Sequence, residues 1–185
     1  MKRATMLTVI VATALIVARG AVPDAPEQVD VFVAGHEGYH TFRIPSVIAV
    51  PASRQNRTGA LLAFCEGRKN SRGDAGDIDL VLKRSLDGGK TWGSLQVVWD
   101  DGANTCGNPC PVIDRKTGTI WLLLTHNLGE DSEKQIEERT GKGTRTVWVT
   151  KSADNGATWA RPVEITKTTK RDNWTWYATD RKSVV

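Results

Sequence analysis

Beyond residue 25 the chain carries no apolar stripe at helical spacing, and no hydrophobic run is long enough to cross a bilayer comfortably. The first absence excludes a helical bundle as the organising core. The second argues against a helical span, so no stable membrane anchor is expected. Histidine and cysteine are scarce, three of each, and do not cluster at metal-ligand spacing. No metal or organic cofactor is therefore indicated. An excess of one charge is also lacking. The formal net charge of +4 owes most to Lys2, Arg3 and Arg19. Setting those three aside leaves 22 of the 25 basic residues against 21 acidic ones. A body so close to neutral gives no basis for nucleic-acid binding.

The first twenty residues read as an address. Lys2 and Arg3 precede an apolar run from Met6 to Val17, and Ala18-Arg19-Gly20 supplies small residues where a signal peptidase cuts. This predicts a cleaved signal peptide over 1–20 and a secreted or periplasmic product, or a lysosomal one in a eukaryotic host. Export would permit disulfides. Three cysteines leave at least one outside any intrachain pair. Cys106 and Cys110 have CxxxC spacing, but the short loop through Pro109 leaves their pairing open. Asn56-Arg57-Thr58 and Asn173-Trp174-Thr175 are glycosylation sequons.

Short strands and a repeat fill the remainder. Phe42–Val50, Ala60–Glu66, Ile78–Ser85 and Val97–Asp100 form one group of apolar or β-branched runs. Cys110–Asp114, Thr119–His126, Thr146–Lys151 and Pro162–Ile165 form a second. Asp131–Arg139 is almost wholly polar and reads as an exposed loop or a short helix. Each group holds the same octapeptide between its third and fourth strands. Ser85-Leu86-Asp87-Gly88-Gly89-Lys90-Thr91-Trp92 recurs as Ser152-Ala153-Asp154-Asn155-Gly156-Ala157-Thr158-Trp159. Asp accepts hydrogen bonds from nearby backbone, Gly permits positive φ, and Trp buries a ring beside the hairpin. Four antiparallel strands per repeat predict an all-β chain of two propeller blades, each needing a neighbour to cover its faces.

Several polar residues stand out against this scaffold. Arg43 lies in Phe42-Arg43-Ile44-Pro45, beside an apolar strand, and its planar fork suits a carboxylate. Arg68 ends the second strand. Asp74, Asp77 and Asp79 follow in and after a polar loop. Asn108 opens the second group in Gly107-Asn108-Pro109-Cys110-Pro111. The other reading of each is a surface ion pair or a turn-stabilising side chain. Trp92, Trp121, Trp148 and Trp159 read as packing residues, and His126 as a satisfied strand residue.

The octapeptide resembles the Asp box, S-x-D-x-G-x-T-W. The ordered set of F-R-I-P, E-G-R, D-x-D-L-V-L-K-R-S, two such boxes and N-P-x-P resembles the exo-α-sialidase family over residues 28–179. The resemblance implies a six-bladed β-propeller that removes terminal sialic acid from sialylated glycoconjugates. On that pattern blade one covers about 28–101, blade two about 106–166, and a third blade starts at about 173–179. Arg43 matches one of three arginines that grip the sugar carboxylate. Arg68 matches the arginine near the O4 edge of the sugar, Asp74 the acid/base, and Asn108 a position near the pocket. Asp77 is the competing acid. The nucleophile of this family is a tyrosine assisted by a glutamate. Neither Tyr39 nor Tyr177 matches its motif. After Thr179 the family continues with a Gly-Pro-Gly turn, where this chain reads Asp180-Arg181-Lys182-Ser183-Val184-Val185. An incomplete propeller, inactive alone, is expected. A non-catalytic Asp-box propeller for glycan or protein binding is the alternative, and a glycosidase of neutral polysaccharide a third reading.

Overall fold

The computed structural model describes residues 27–52, 59–177 and 179. The signal-peptide expectation, the sequon at Asn56 and the divergent segment from Asp180 lie outside the described residues. Eight strands and two short helices follow in order. They are β1 (Thr41–Val50), β2 (Ala60–Arg68), β3 (Ile78–Ser85), β4 (Gln96–Trp99), β5 (Thr105–Ile113), β6 (Ile120–Asn127), α1 (Glu133–Glu137), β7 (Thr146–Ser152), β8 (Val163–Glu164) and α2 (Thr166–Thr169). The chain is all-β, as its periodicity predicts. β1 to β4 form one antiparallel unit and β5 to β8 a second. A single parallel pairing of Ile78 with Thr105 joins them.

The core lies between the two units. Leu62, Phe64, Leu80 and Leu82 of the first meet Cys106, Ile120, Leu122 and Leu124 of the second, all buried. Each Leu or Phe side chain so buried contributes about 1.5–3 kcal/mol. Neither unit could shield these faces alone, which is why the repeat comes with a neighbour. Trp99 and Trp148 pack on the same cluster, with ring centroids 4.8 Å apart. His126 stacks on Trp99, and its Nε2 lies 2.8 Å from Asp101 Oδ2, so it is a satisfied strand residue. Trp121 departs from the packing expectation. It is partly exposed on β6, with the ammonium of Lys151 5.3 Å from its ring centre.

The two octapeptides fold identically. Ser85 Oγ donates to Asp87 Oδ1 (2.8 Å), and Thr91 donates to the same carboxylate through its N–H (2.9 Å) and hydroxyl (2.6 Å). Ser152, Asp154 and Thr158 repeat all three bonds, at 2.7, 2.9 and 2.6 Å. Gly88 and Gly89 have positive φ, as do Asn155 and Gly156. Asn replaces Gly at the first of these positions because its short polar side chain tolerates the left-handed region. The second turn also closes the core. A Cβ on Gly156 would lie 2.9 Å from Leu62 Cδ1 of the first unit, and Trp159 sets its edge on Phe64 at 5.6 Å.

Both inner strands are bent at one place. β1 slips register between Arg43 and Ser46, and β5 between Gly107 and Cys110. In each bulge the residue before proline has positive φ: Ile44 at 55° and Asn108 at 53°. For a β-branched residue this conformation is strained, and such bulges re-aim neighbouring side chains. The bulge also explains a boundary. Gly107-Asn108-Pro109 reads as a turn in sequence, so the strand was expected from Cys110, yet pairing resumes on both sides of it from Thr105.

Asp131–Arg139 contains a true short helix, α1. Ser132 caps it, and Gln135 returns a side-chain bond to the cap. Cys106 is a buried thiol, so the bridge to Cys110 is not formed. Among the described residues no helix is long and apolar enough to cross a membrane.

The octapeptide carboxyls respond to acid in a defined direction. Bonds from Thr91 first, then Ser85, hold Asp87 at about 2 against an ordinary 3.8. At Asp154 partial burial opposes ionisation, but the bonds from Thr158 and Ser152 overcome it and hold the group at about 2. A carboxyl depressed on folding stabilises the fold above its unfolded value and loses that contribution as pH falls through its folded value. We expect urea midpoints to drop as pH falls from about 4 to about 2. A variant with Asp87→Asn and Asp154→Asn should be weaker at neutral pH and flatter across that window.

Candidate active site

The residues singled out in sequence converge at one end of β1, β2 and β5. Thr41 pairs with Arg68, and Arg43 pairs with Glu66, so the ends of β1 and β2 bring both arginines to one rim. The 69–77 loop then returns over them. Asp74 Oδ1 receives Arg43 Nη1 at 2.8 Å and Arg68 Nη2 at 2.7 Å. Arg43 and Asp74 remain open to solvent, with side chains 44% and 58% exposed. A ligand can therefore reach both.

Arg68 is different. Its side chain is almost fully buried and every nitrogen is engaged. Nη2 and Nε donate to Glu66 Oε2 at 2.6 and 3.1 Å. Nη1 donates to the carbonyls of Arg72 (2.6 Å) and Gly73 (2.8 Å). One guanidinium thus ties the acid loop to the floor of the sheet. Glu66 is equally buried, and its other oxygen accepts the backbone N–H of Asn108 at 3.0 Å. The space it occupies is made by Gly107. A Cβ there would stand 2.3 Å from Glu66 Oε1.

Asn108 is buried rather than open to the rim. Its Oδ1 accepts Thr125 Oγ1 at 2.9 Å and an Nη2–H of Arg145, and its carbonyl accepts the Thr179 hydroxyl. Arg145 also donates to Thr125 Oγ1 (3.1 Å) and Asn127 Oδ1 (3.0 Å), and it lies 4.1 Å from the centre of the Trp176 ring. Sequence reasoning did not single out Glu66, Arg145 or Trp176. Glu66 stood inside the quoted E-G-R triplet. Arg145 had only one signal, a basic residue immediately before a strand that proved to be buried.

The competing acids sit elsewhere. Lys69 Nζ lies 3.0 Å from Asp77 Oδ1, 3.1 Å from Asp79 Oδ2 and 3.5 Å from Asp100 Oδ2. Burial opposes the charge on that ammonium, but the bonds to Asp77 and Asp79 outweigh it and raise the lysine above its ordinary value. Tyr39 donates its hydroxyl to Asp79 at 2.6 Å, and burial followed by that bond pushes the phenol well above its ordinary value. Tyr39 is thus a neutral donor beneath the rim. Of the three aspartates, only Asp74 ion-pairs with the two arginines. Burial first, then Glu137, raises the carboxyl of Glu133; Arg145 opposes the shift and Asp74 adds to it.

Blade-like units meeting face to face, with arginines and a carboxylic acid at the strand ends, define an all-β repeat protein of the propeller class. The BNR repeat-like domain family matches residues 59–179. An exo-alpha-sialidase of Aspergillus fumigatus is 38% identical over 159 residues, 76% of this chain and 37% of that protein. A Bacteroides fragilis sialidase is 31% identical over 76% of this chain and 27% of its own length. The solved structure of a Hadza microbial sialidase, Hz136, superposes with a TM-score of 0.60 at 28% identity, over 72% of this chain and 28% of that one. The chain belongs to the BNR repeat-like family and, within it, to the exo-α-sialidases. It spans little more than a third of the length of the fungal relatives it matches.

The buried Glu66–Arg68 pair can be tested for its structural weight. Removing one partner of a buried pair leaves an uncompensated charge and costs about 3–5 kcal/mol. Glu66→Ala should approach that loss in denaturant unfolding. Glu66→Gln, which keeps an acceptor, should cost clearly less.

Proposed function

We propose that this chain supplies the acid-bearing part of an exo-α-sialidase that hydrolyses terminal α-linked sialic acids from glycoproteins, glycolipids or oligosaccharides. The observation carrying this reading is Asp74, exposed and held between Arg43 and Arg68 at one rim. Arg43 grips the substrate carboxylate together with arginines from other blades. Arg68, fixed on Glu66, borders the O4 side of the sugar and keeps the acid loop in place. Asn108 completes the floor. The relatives' names support sialosides as substrates.

In the complete enzyme Asp74 protonates the glycosidic oxygen as that bond breaks. A neutral tyrosine from another blade attacks the anomeric carbon while its glutamate partner takes the phenol proton. Asp74 then takes a proton from water, which displaces the tyrosine as the glutamate returns its proton, and sialic acid leaves with retained configuration. An uncharged nucleophile avoids repulsion from the sugar carboxylate. The six-bladed ring, the blade limits, the Asp-box identity of the octapeptides, the signal peptide and secretion belong to the same reading. The 185 residues alone should not turn over a sialoside.

The test uses a full-length enzyme carrying this chain. Asp74→Asn should lower kcat/KM on sialyllactose by about 100-fold or more, the usual contribution of a general acid, and spare the kcat/KM of an aryl sialoside whose leaving group needs no proton. Arg43→Ala should weaken a sialic-acid analogue by about 10-fold or more, from one lost charged hydrogen bond. Undiminished sialyllactose turnover by Asp74→Asn would remove the acid role. A parent that binds sialosides without cleaving them would favour the non-catalytic propeller.

A further inference from the structure

We propose that Arg145 is the positioning residue that sets the acid Asp74 from the neighbouring blade. The inference rests on the sialidase reading and adds to it a link between units. Arg145 is 4% exposed, at the entrance to β7. Its Nε, Nη1 and Nη2 reach three neutral acceptors: Thr125, Asn127 and Asn108. The planar fork presents its donors in fixed directions to these three acceptors, whereas an ammonium would have to reach them all from one nitrogen. Trp176 covers the face of that fork.

The consequence passes through Asn108. This residue sits in a bulge with φ of 53°, a conformation that its side-chain bonds help to hold. Thr125 and Arg145 both clamp its Oδ1, which fixes the plane of the bulge. The clamped backbone then aims its N–H at Glu66 Oε1. Glu66 Oε2 in turn aims Arg68, and Arg68 binds the carbonyls of Arg72 and Gly73 and the carboxylate of Asp74. Every link is a hydrogen bond or ion pair between groups of which all but Asp74 are buried or backbone. The pairing of β6 with β7 does not need Arg145, because the backbone ladder runs from Ile120 to His126 without it. The guanidinium therefore serves the chain of contacts that ends at the acid.

A displaced acid slows the leaving-group step, read as kcat/KM, only for the substrate that needs a proton there. In the full-length enzyme, Arg145→Lys should lower kcat/KM on sialyllactose by about 10-fold or more, as expected of a misplaced catalytic group. The kcat/KM of an aryl sialoside should stay within about 3-fold, since its leaving group departs without protonation. In an Asp74→Asn background the Arg145→Lys change should add no further loss, because the two act on one step. Should Arg145→Lys fail to fold, Thr125→Val removes the hydroxyl that joins Arg145 to Asn108 Oδ1 and should show the same selective loss in smaller measure. Equal losses on both substrates, additive losses with Asp74→Asn, or full sialyllactose activity in the folded variant would overturn the positioning role alone. A parent inactive on both sialosides would instead overturn the sialidase reading and this inference with it.

Discussion

The buried pair of Glu66 and Arg68 is the contact on which the rest of the rim depends. Two charges withdrawn from water on one strand cost several kcal/mol each unless their remaining valences are met. Here they are met on both sides. Glu66 turns its second oxygen to a backbone N–H of the next unit, and Arg68 turns its remaining nitrogens to the carbonyls and carboxylate of the acid loop. The pair therefore does more than neutralise itself. It connects the inner strand of the second unit to an exposed aspartate of the first. An apolar replacement could fill the volume but could not transmit that orientation.

The backbone makes room for this arrangement at some expense. Gly107 leaves the gap that Glu66 fills, and the two bulges before Pro45 and Pro109 place Ile44 and Asn108 at positive φ. Strain at equivalent points of two repeats indicates a shared device. In the first unit the bulge turns Arg43 out to solvent. In the second it turns a backbone N–H in towards Glu66. The octapeptide turns at the far ends of β3 and β7 need no such strain, because their glycines and Asn155 accept the left-handed region readily. They supply rigidity, and the inter-unit core of Leu62, Phe64, Leu122 and Leu124 supplies cohesion.

Much of the fold was legible because strand patterning and turn chemistry are local. The eight strands follow from apolar runs bounded by Gly, Asn, Asp and Pro, and the octapeptide dictates its own hydrogen bonds. Arg43, Arg68 and Asp74 were legible through motif order, and they do meet. What sequence could not show is set by contacts distant along the chain. The bulge at Gly107-Asn108-Pro109 reads as a turn because Pro and Gly signal one, and only pairing with β6 reveals a continuous strand. Asn108 reads as a residue near the pocket, and its burial under Thr125 and Arg145 has no local signal. Arg145 looks like an ordinary surface charge until β6 and β7 enclose it. Trp121 shows the converse, a large ring left outward because the alternation of β6 places it on the open face.

The account's central claim is that Arg43 and Asp74 face one sialic acid from this rim. The most direct measurement is a crystal structure of the full-length enzyme with a bound sialic-acid analogue. The account predicts the analogue's carboxylate within about 3.2 Å of the Arg43 guanidinium, with Asp74 on the side from which the aglycone leaves. An analogue seated away from Arg43, or with Asp74 turned from its glycosidic position, would contradict it.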